Sequence, residues 1–449
     1  AVAVVTVQDL IAPTVVTQNI SVQLDANGQA TITPAQINNG STDNCSIASY
    51  ALDVMNFNCA NVGSNTVTLT VTDINGNVST GTAIVTVQDV ILPTPIAQNI
   101  TVQLGINGQA TITPAQINNG SFDNCGIATL TLDITNFTCA NVGANTVTLT
   151  VTDVNGNIST AAAIVTVQDL IAPIVITQNI TVQLGINGQA AITPAQINNG
   201  SFDNCGIATL TLDVTNFTCV NVGLNTVILT VTDINANVST ATAVVTVEDN
   251  ILPTVIAQNI TVQLNANGEY TLTTAEVNNG SFDNCGIETL GLSQTFFNCA
   301  SIGTTTTVTL FAVDVNGNYA SATAFINVAD TMAPTVITQN ISVQLGADGQ
   351  ATITPAQINN GSTDNCSITS YTLDVMNFTC ANVGPNTVTL TVTDVNGNVS
   401  TGTAIVTVQD LIVPAAISQN ITVQLGINGQ VAITPAQINN GSFDNCGIA

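Results

Sequence analysis

A repeat of about 80 residues dominates the sequence and limits what the chain can fold into. The segment GQATITPAQINNGS at 28–41 recurs unchanged at 108–121 and 349–362. Self-similarity at a fixed period is the signature of a repeat architecture. Junction prolines follow the same period, at Pro13, Pro93, Pro173, Pro253, Pro334 and Pro414. The spacing predicts repeats at 10–89, 90–169, 170–249, 250–330 and 331–410, with the end of a preceding repeat at 1–9 and a truncated sixth at 411–449.

Within each repeat, apolar residues alternate with threonine, as in TVTLTVT at 66–72. Alternation with a period of two indicates a strand with one buried face. Strands are predicted at 19–24, 29–33, 47–53, 66–73 and 78–88 of the first repeat, and no helix of any length is expected. Short strands separated by frequent turn signals are typical of a sandwich. The predicted fold class is all-β, a rod-like tandem array of immunoglobulin-like antiparallel β-sandwich domains of about 80 residues.

The last two strands of each repeat are joined by a predicted hairpin turn. In the first repeat this turn contains Asn75-Gly76, a pair that tolerates positive φ in a type I′ turn. The third repeat has Ala236 where the others have glycine. A left-handed conformation at Ala236 would cost about 1 kcal/mol, so this turn is predicted to be the weakest.

The chain has no Lys, Arg or His, and its 27 acidic residues give a formal charge of -27. Nucleic-acid binding and docking on an anionic membrane are excluded, because both need cationic side chains. The usual catalytic bases and cationic clamps are missing too, so the chain is not expected to be an enzyme. No apolar stretch approaches the length of a membrane span, and we expect no direct membrane insertion in this segment.

Eleven cysteines recur in register through the repeats. Because an 80-residue core is marginal by itself, a disulfide within each repeat is the expected staple, and such bonds place the protein outside the cell. The alternatives are a metal site or reduced thiols, although zinc would need closer ligand pairs or histidines. The predicted pairs are Cys45 with Cys59, Cys125 with Cys139, Cys205 with Cys219, Cys285 with Cys299 and Cys366 with Cys380, leaving Cys446 without a mate.

Aspartates recur in register at one pole of the expected sandwich. In the second repeat they are Asp89 in the linker, Asp123 in the loop between the second and third strands, and Asp153 in the last turn. Carboxylates that converge without a cationic side chain need a bound ion or protons. We predict calcium, a hard ion that takes oxygen ligands. The alternative is that each aspartate hydrogen-bonds its own turn and faces water.

The predicted calcium ligands extend through all the repeats. They are Asp9, Asp43, Asp73, Asn75, Asp89, Asp123, Asp153, Asn155, Asp169, Asp203, Asp233, Asp249, Asp283, Asp314, Asp330, Asp364 and Asp394. Asp53 lies at the end of the third predicted strand, at the opposite pole, and its counterpart in the fourth repeat is Ser293. This position is therefore not expected to bind an ion in every repeat.

The residues resemble a known class of modules. Over the whole chain, three motifs in order are similar to the hyalin-repeat class of immunoglobulin-like modules. They are Asp-Asn-Cys, then Gly-x-Asn-Thr-Val-Thr-Leu-Thr-Val-Thr-Asp-x-Asn-Gly-Asn, and then Val-Thr-Val-x-Asp and Pro. Cys59 lies before the glycine, whereas many hyalin repeats have this cysteine in the last strand. More narrowly, the lysine-free units resemble the repeat region of gliding-motility surface adhesins of Bacteroidetes bacteria (SprB type). That resemblance implies type IX secretion, outer-membrane anchoring and a filament that moves along the cell surface.

We interpret the chain as the repetitive stalk of an extracellular, cell-surface adhesin used for attachment and gliding. Near-identical repeats cannot each be a unique active site, and each contacts mainly its neighbours. Neighbouring repeats are therefore the expected partners. Surface glycans, abiotic surfaces and lateral self-association are further candidates, because many weak sites gain through multivalency. The alternative is a purely structural extracellular fibre or surface-layer protein without a ligand.

Overall fold

The computed structural model describes residues 2–448. Inter-residue contacts divide the chain into two compact units, and the division falls inside the third repeat. The second unit comprises Val182–Ala190, Phe217–Gly223 and the chain from Val247 onward, and the first unit comprises the rest. None of the helices in the described part of the chain has the length and apolar character needed to cross a membrane.

The first repeat contains six strands and a short helix. These are β1 (Ile20–Gln23), β2 (Gln29–Thr31), α1 (Pro34–Ile37), β3 (Ile47–Leu52), β4 (Asn56–Asn58), β5 (Gly63–Asp73) and β6 (Val78–Gln88). One sheet has the strand order β1-β6-β5-β3, and the second pairs β2 with β4. A 3-10 turn at Cys59–Asn61 follows β4.

The same order of elements recurs in the next four repeats. The second has β7 (Ile100–Gln103), β8 (Gln109–Thr111), α2 (Pro114–Ile117), β9 (Ile127–Leu132), β10 (Asn136–Thr138), β11 (Gly143–Asp153) and β12 (Ile158–Gln168). The third has β13 (Ile180–Gln183), β14 (Gln189–Ala191), α3 (Pro194–Ile197), β15 (Ile207–Leu212), β16 (Asn216–Thr218), β17 (Gly223–Asp233) and β18 (Val238–Glu248). The fourth has β19 (Ile260–Gln263), β20 (Glu269–Thr271), α4 (Thr274–Val277), β21 (Ile287–Leu292), β22 (Phe296–Asn298), β23 (Thr305–Asp314) and β24 (Tyr319–Ala329). The fifth has β25 (Ile341–Gln344), β26 (Gln350–Thr352), α5 (Pro355–Ile358), β27 (Ile368–Leu373), β28 (Asn377–Thr379), β29 (Gly384–Asp394) and β30 (Val399–Gln409), and α6 (Pro435–Ile438) follows.

Each core is built from the alternating apolar residues of the long strands. In β5, Val67, Leu69 and Val71 are fully buried, while the threonines between them are only partly covered. Phe57 of β4 and Ile37 of α1 complete the same cluster. Burying a side chain of this size contributes about 1.5–3 kcal/mol. The all-β, immunoglobulin-like fold is therefore confirmed, and the long strands each have one buried face.

The expectation of purely antiparallel sheets is wrong at one edge. β1 pairs with β6 in parallel, with Ile20 opposite Val85. A tight turn makes its two flanking strands antiparallel, but β1 and β6 are separated by most of the repeat and are free of that constraint. The side chain of Asn19 supports this edge by accepting a hydrogen bond from the Ile84 backbone N–H at 2.7 Å.

Two short elements were not predicted from the sequence. β4 has three residues and one buried side chain, which is too short for an alternation to be recognised. α1 is a single turn that begins at Pro34, and Thr33 is its N-cap residue. The backbone N–H of Thr33 donates to the Gln36 side chain at 2.7 Å, one half of a capping box that the Thr-Pro-Ala-Gln sequence encodes.

The hairpin turn between β5 and β6 is not of type I′. That type needs two consecutive residues with positive φ, and here Gly76 has a φ of 93° while Asn75 is not among the described residues with positive φ. The turn is closed by a hydrogen bond from the Gly76 N–H to the Asp73 carbonyl at 3.3 Å. Ala236 has a φ of 72° and is therefore left-handed. The cost of about 1 kcal/mol predicted for this turn depended on that conformation.

Candidate functional site at the repeat junctions

Three aspartates converge where one repeat meets the next. Asp89 directly follows β6, Asp123 lies in the loop before β9, and Asp153 ends β11. One carboxylate oxygen of each lies within 4.8 Å of the other two. Each triplet lies wholly within one of the two units. The described residues hold five such triplets: Asp9, Asp43 and Asp73; Asp89, Asp123 and Asp153; Asp169, Asp203 and Asp233; Asp249, Asp283 and Asp314; Asp330, Asp364 and Asp394.

Asp153 organises the hairpin turn from inside the cluster. Its Oδ1 accepts hydrogen bonds from the backbone N–H groups of Asn155 and Asn157 at 2.9 and 2.8 Å. Its Oδ2 accepts one from the Asn157 side chain at 2.7 Å. The residue is only 1% exposed, so it hydrogen-bonds its own turn but does not face water. The alternative that each aspartate hydrogen-bonds its own turn and faces water is thus correct for the hydrogen bonds of Asp153 and wrong for its exposure to water.

The other two carboxylates each keep a buried oxygen without a hydrogen-bond donor. Asp89 is 7% exposed; its Oδ1 accepts from the Asn124 side chain at 3.2 Å, and its Oδ2 has no partner. The Oδ2 of Asp123 accepts from the Cys125 N–H at 2.8 Å, while its Oδ1 has no partner. The amide oxygens of Asn124 and Asn155 are also buried without a donor. Buried polar atoms are normally hydrogen-bonded, so these four oxygens are acceptors whose hydrogen-bonding capacity the protein itself does not satisfy.

This pattern recurs at the next three junctions. The equivalent buried oxygens without a partner belong to Asp169, Asp203, Asn204, Asn235, Asp249, Asp283, Asn284, Asn316, Asp330, Asp364, Asn365 and Asn396. The asparagines that follow Asp123 and its counterparts were not predicted as ligands, although the repeated Asp-Asn-Cys tripeptide marks their positions.

The electrostatics of each triplet are unfavourable without a counter-charge. Two unit charges less than 5 Å apart repel by about 3 kcal/mol or more at an effective dielectric constant of 20. No side chain of the sequence can supply a positive charge. Burial disfavours the charged form of Asp73 in the first triplet, but hydrogen bonds from Asn77 and from the turn backbone together lower its pKa. Asp73 is therefore held as a carboxylate.

The donor set fits a hard divalent cation. Every candidate ligand atom is a carboxylate or amide oxygen, and calcium takes about six to eight such oxygens in flexible geometry. Magnesium usually retains several waters and uses one or two carboxylates, which fits a cluster of three carboxylates less well. Asp89, Asp123, Asn124, Asp153 and Asn155 would hold the ion between the first and second repeats.

The predicted pairing of the cysteines is wrong. Disulfides are present, but each joins one repeat to the next rather than closing a loop within a repeat. The pairs are Cys59–Cys125, Cys139–Cys205, Cys219–Cys285, Cys299–Cys366 and Cys380–Cys446. Cys446 is therefore bonded, and Cys45, which was assigned to a pair, is free and exposed.

The geometry of a single repeat explains this correction. β3, six residues long, carries the chain about 20 Å between Cys45 and Cys59, well beyond the separation of about 7 Å that a disulfide can bridge. Cys45 lies at one pole with Asp9, and a hydrogen bond to the Asp9 carboxylate raises the pKa of its thiol. Cys59 lies at the other pole, against the next repeat.

The disulfide and the acidic cluster share one loop. Cys59 Sγ lies 3.5 Å from the carbonyl oxygen of Asn124, and the Asn124 amide donates to the Asp25 carbonyl at 3.3 Å. A Cβ at Gly28 would lie 2.6 Å from Cys59 Sγ and 3.0 Å from that carbonyl oxygen, and Gly28 also has a φ of 68°. Glycine at this position allows the two repeats to approach each other.

Asp53 has a different role from the clustered aspartates. Its Oδ1 accepts hydrogen bonds from the Thr68 N–H at 2.7 Å and the Val54 N–H at 2.8 Å. The Thr68 backbone N–H lowers the pKa of this carboxyl. In the fourth repeat the Ser293 hydroxyl accepts from the Thr309 N–H at 2.9 Å instead. The position therefore supplies a hydrogen-bond acceptor where the third strand ends.

Together these features define a tandem array of immunoglobulin-like repeats whose junctions combine an acidic cluster with a disulfide. The chain is 31% identical to Hyalin of Strongylocentrotus purpuratus over 397 residues, which cover 78% of this chain and 31% of Hyalin. The chain thus spans less than a third of the length of this curated relative. No protein-family model matches the chain.

Two solved structures match the chain at low identity and low TM-score. The Protocadherin GammaB4 extracellular domain is 14% identical with a TM-score of 0.27, and the comparison covers 89% of this chain and 84% of that one. Sidekick-1 immunoglobulin domains 1–5 are 10% identical with a TM-score of 0.26, with coverage of 90% and 100%.

Proposed function

We propose that this chain is the repetitive stalk of an extracellular, cell-surface adhesin, with calcium ions and disulfides at the junctions between its repeats. Five disulfides support an extracellular location, because such bonds persist in oxidising compartments. Sequence similarity to Hyalin supports the assignment to hyalin-like repeats. A stalk serves attachment by its length and by repetition of weak contacts.

The observation that carries the calcium part of this proposal is the set of unpartnered buried oxygens. Asp89, Asp123, Asn124 and Asn155 each have one such oxygen, and the sequence has no cationic side chain that could neutralise the carboxylates. Asp89 belongs to the end of one predicted repeat, and Asp123 and Asp153 belong to the next. An ion held by all three would join consecutive repeats and stiffen the array.

Thermal unfolding and ion content of the full 449-residue chain test this assignment. We expect about five calcium ions per chain after dialysis against millimolar calcium, one for each acidic triplet. Calcium at 100 times its dissociation constant would stabilise each site by about 2.7 kcal/mol, so chelation should lower the melting temperature markedly. Sodium chloride at matched ionic strength is the control, since a charge of -27 responds to screening alone. Equal melting temperatures in calcium and in sodium would refute calcium binding.

A narrower assignment is to the stalk of a gliding-motility adhesin exported by type IX secretion and anchored at the outer membrane. The support is the resemblance of the lysine-free 80-residue repeats to such adhesins. Antibody labelling of intact producing cells, with and without inhibition of that secretion system, tests this assignment. Surface labelling that persists when the system is inactive would exclude this export route.

A purely structural fibre is the second candidate function. It is favoured by exposed apolar side chains at equivalent positions of successive repeats, such as Phe122, Phe202 and Phe282. Sedimentation measures lateral self-association, and retention on glycan and abiotic surfaces measures attachment. Attachment by the dispersed chain supports the adhesin stalk, whereas self-association without attachment supports the fibre.

A further inference from the structure

Consecutive repeats are joined by two covalent connections. The peptide chain passes from the first repeat to the second after Gln88, where β6 ends. The disulfide between Cys59 and Cys125 joins the same two repeats, and the Cα atoms of these cysteines are 5.4 Å apart although 66 positions separate them in sequence. The next disulfide begins at Cys139, only 14 residues after Cys125.

We infer that the disulfides form a short covalent path along the chain that carries tension and limits how far the chain can lengthen. From Cys125 this path follows the backbone through β9 and β10 to Cys139, and it then crosses the disulfide to Cys205. The same alternation of a 14-residue segment and a disulfide continues through Cys219, Cys285, Cys299, Cys366, Cys380 and Cys446.

Most of each hydrophobic core lies outside this path. In the second repeat Val147, Leu149 and Val151 of β11 and Val165 and Val167 of β12 are fully or almost fully buried. Both strands lie in the segment between Cys139 and Cys205 that the disulfide bypasses. Tension that unfolds a repeat therefore cannot draw these strands out while the disulfide is intact.

The bypass has a large effect on the fully extended length. An extended chain spans about 3.5 Å per residue, so the 66 residues within each disulfide loop would add about 230 Å if released. The 14 residues on the path contribute only about 50 Å. The oxidised array can thus lengthen by a small fraction of what its sequence allows. This inference depends on the disulfides alone and holds whether or not the junctions bind calcium.

Single-molecule stretching of the full chain by its two ends tests the inference. The end-to-end length is compared between the oxidised chain and the chain reduced with a phosphine, at a force at which every repeat has unfolded and in the presence of chelator. We expect reduction to add about 230 Å for each disulfide broken. Equal lengths before and after reduction would overturn the inference. Because the measurement is made on the unfolded chain, the stability of the repeats does not affect it.

A double variant distinguishes the observed pairing from pairing within repeats. Replacing Cys219→Ser and Cys285→Ser should add one increment of about 230 Å to the oxidised chain. If the pairs were instead within repeats, the same variant would open two loops of about 50 Å each. The matched control is Cys45→Ser, which removes the free thiol and should leave the length unchanged.

Peptide mapping provides a check that needs no force. The chain has no Lys or Arg for trypsin, but a protease that cleaves before aspartate separates Cys45 from Cys59 at Asp53. Without reduction, the peptide that begins at Asp53 should remain attached to the one that begins at Asp123. Attachment of the Asp53 peptide to the Asp43 peptide would overturn the inference.

Discussion

Asn124 donates a hydrogen bond from its side chain to Oδ1 of Asp89 at 3.2 Å. Asp89 is the residue after β6 of the first repeat, and Asn124 precedes the cysteine that is bonded back to that repeat. Oδ2 of Asp89 is buried and accepts no hydrogen bond. The acidic cluster and the disulfide are therefore parts of one junction, and the loop between α2 and β9 belongs to both.

Replacing Asp89→Asn should weaken calcium binding at one junction. The amide can still accept the hydrogen bond from Asn124, but the charge is lost and an N–H₂ group can enter the cluster. We expect one fewer calcium ion per chain and a loss of up to about 2.7 kcal/mol of calcium-dependent stabilisation at 100 times the dissociation constant. Asp133→Asn is the control, because Asp133 accepts from the Thr148 N–H outside any triplet. Unchanged calcium content in the Asp89 variant would contradict the assignment.

Replacing Gly108→Ala should disrupt the junction between the second and third repeats. A Cβ there would lie 2.8 Å from the Asn204 carbonyl oxygen and 2.9 Å from Cys139 Sγ. The control is Gly120→Ala, which has a similar positive φ but open space around the added carbon. Both variants carry the left-handed cost of about 1 kcal/mol, and only Gly108→Ala should also slow formation of the Cys139–Cys205 disulfide. The rate of thiol loss during oxidative refolding measures the difference, and equal rates would contradict the predicted clash.

Replacing Ala236→Gly should stabilise the hairpin of the third repeat by about 1 kcal/mol. Alanine is left-handed at this position with a φ of 72°, a conformation that glycine adopts at little cost. Amide hydrogen exchange in β17 and β18 should become slower, because local opening of the hairpin costs more. The reciprocal variant Gly156→Ala, where an added Cβ meets no other atom, should speed exchange in β11 and β12. Faster exchange after Ala236→Gly would show that the alanine has a packing role.

Acid should weaken the repeats through the aspartates at the end of their third strands. The Thr68 backbone N–H lowers the pKa of Asp53 from its ordinary value of 3.8. A carboxyl with a lowered folded-state pKa stabilises the fold above pH 3.8, and this contribution is lost as the pH falls through the lowered value. Asp53→Ser should reduce the pH dependence of unfolding below pH 3.8 in chelator, since Ser293 accepts the same hydrogen bond without titrating. An unchanged pH profile would contradict this role.

Much of the fold is encoded locally. The alternation of apolar residues with threonine predicts the long strands, and Val67, Leu69 and Val71 are buried as that alternation requires. The register of the aspartates predicts their convergence, because turns and linkers at one end of a sandwich recur at the same place in each repeat. The predicted domain boundaries stay predictions, as does the identity of the ion.

The sequence by itself determined the period, the strand-forming segments, the absence of any cationic side chain and the aspartates that meet at each junction. Only the tertiary structure decided that Cys59 bonds to Cys125, that the Asn124 amide joins the cluster and that β1 runs parallel to β6. The physical reason is that alternation and turn signals act between near neighbours in sequence. A bond between residues 66 positions apart depends instead on how one folded repeat presents its end to the next.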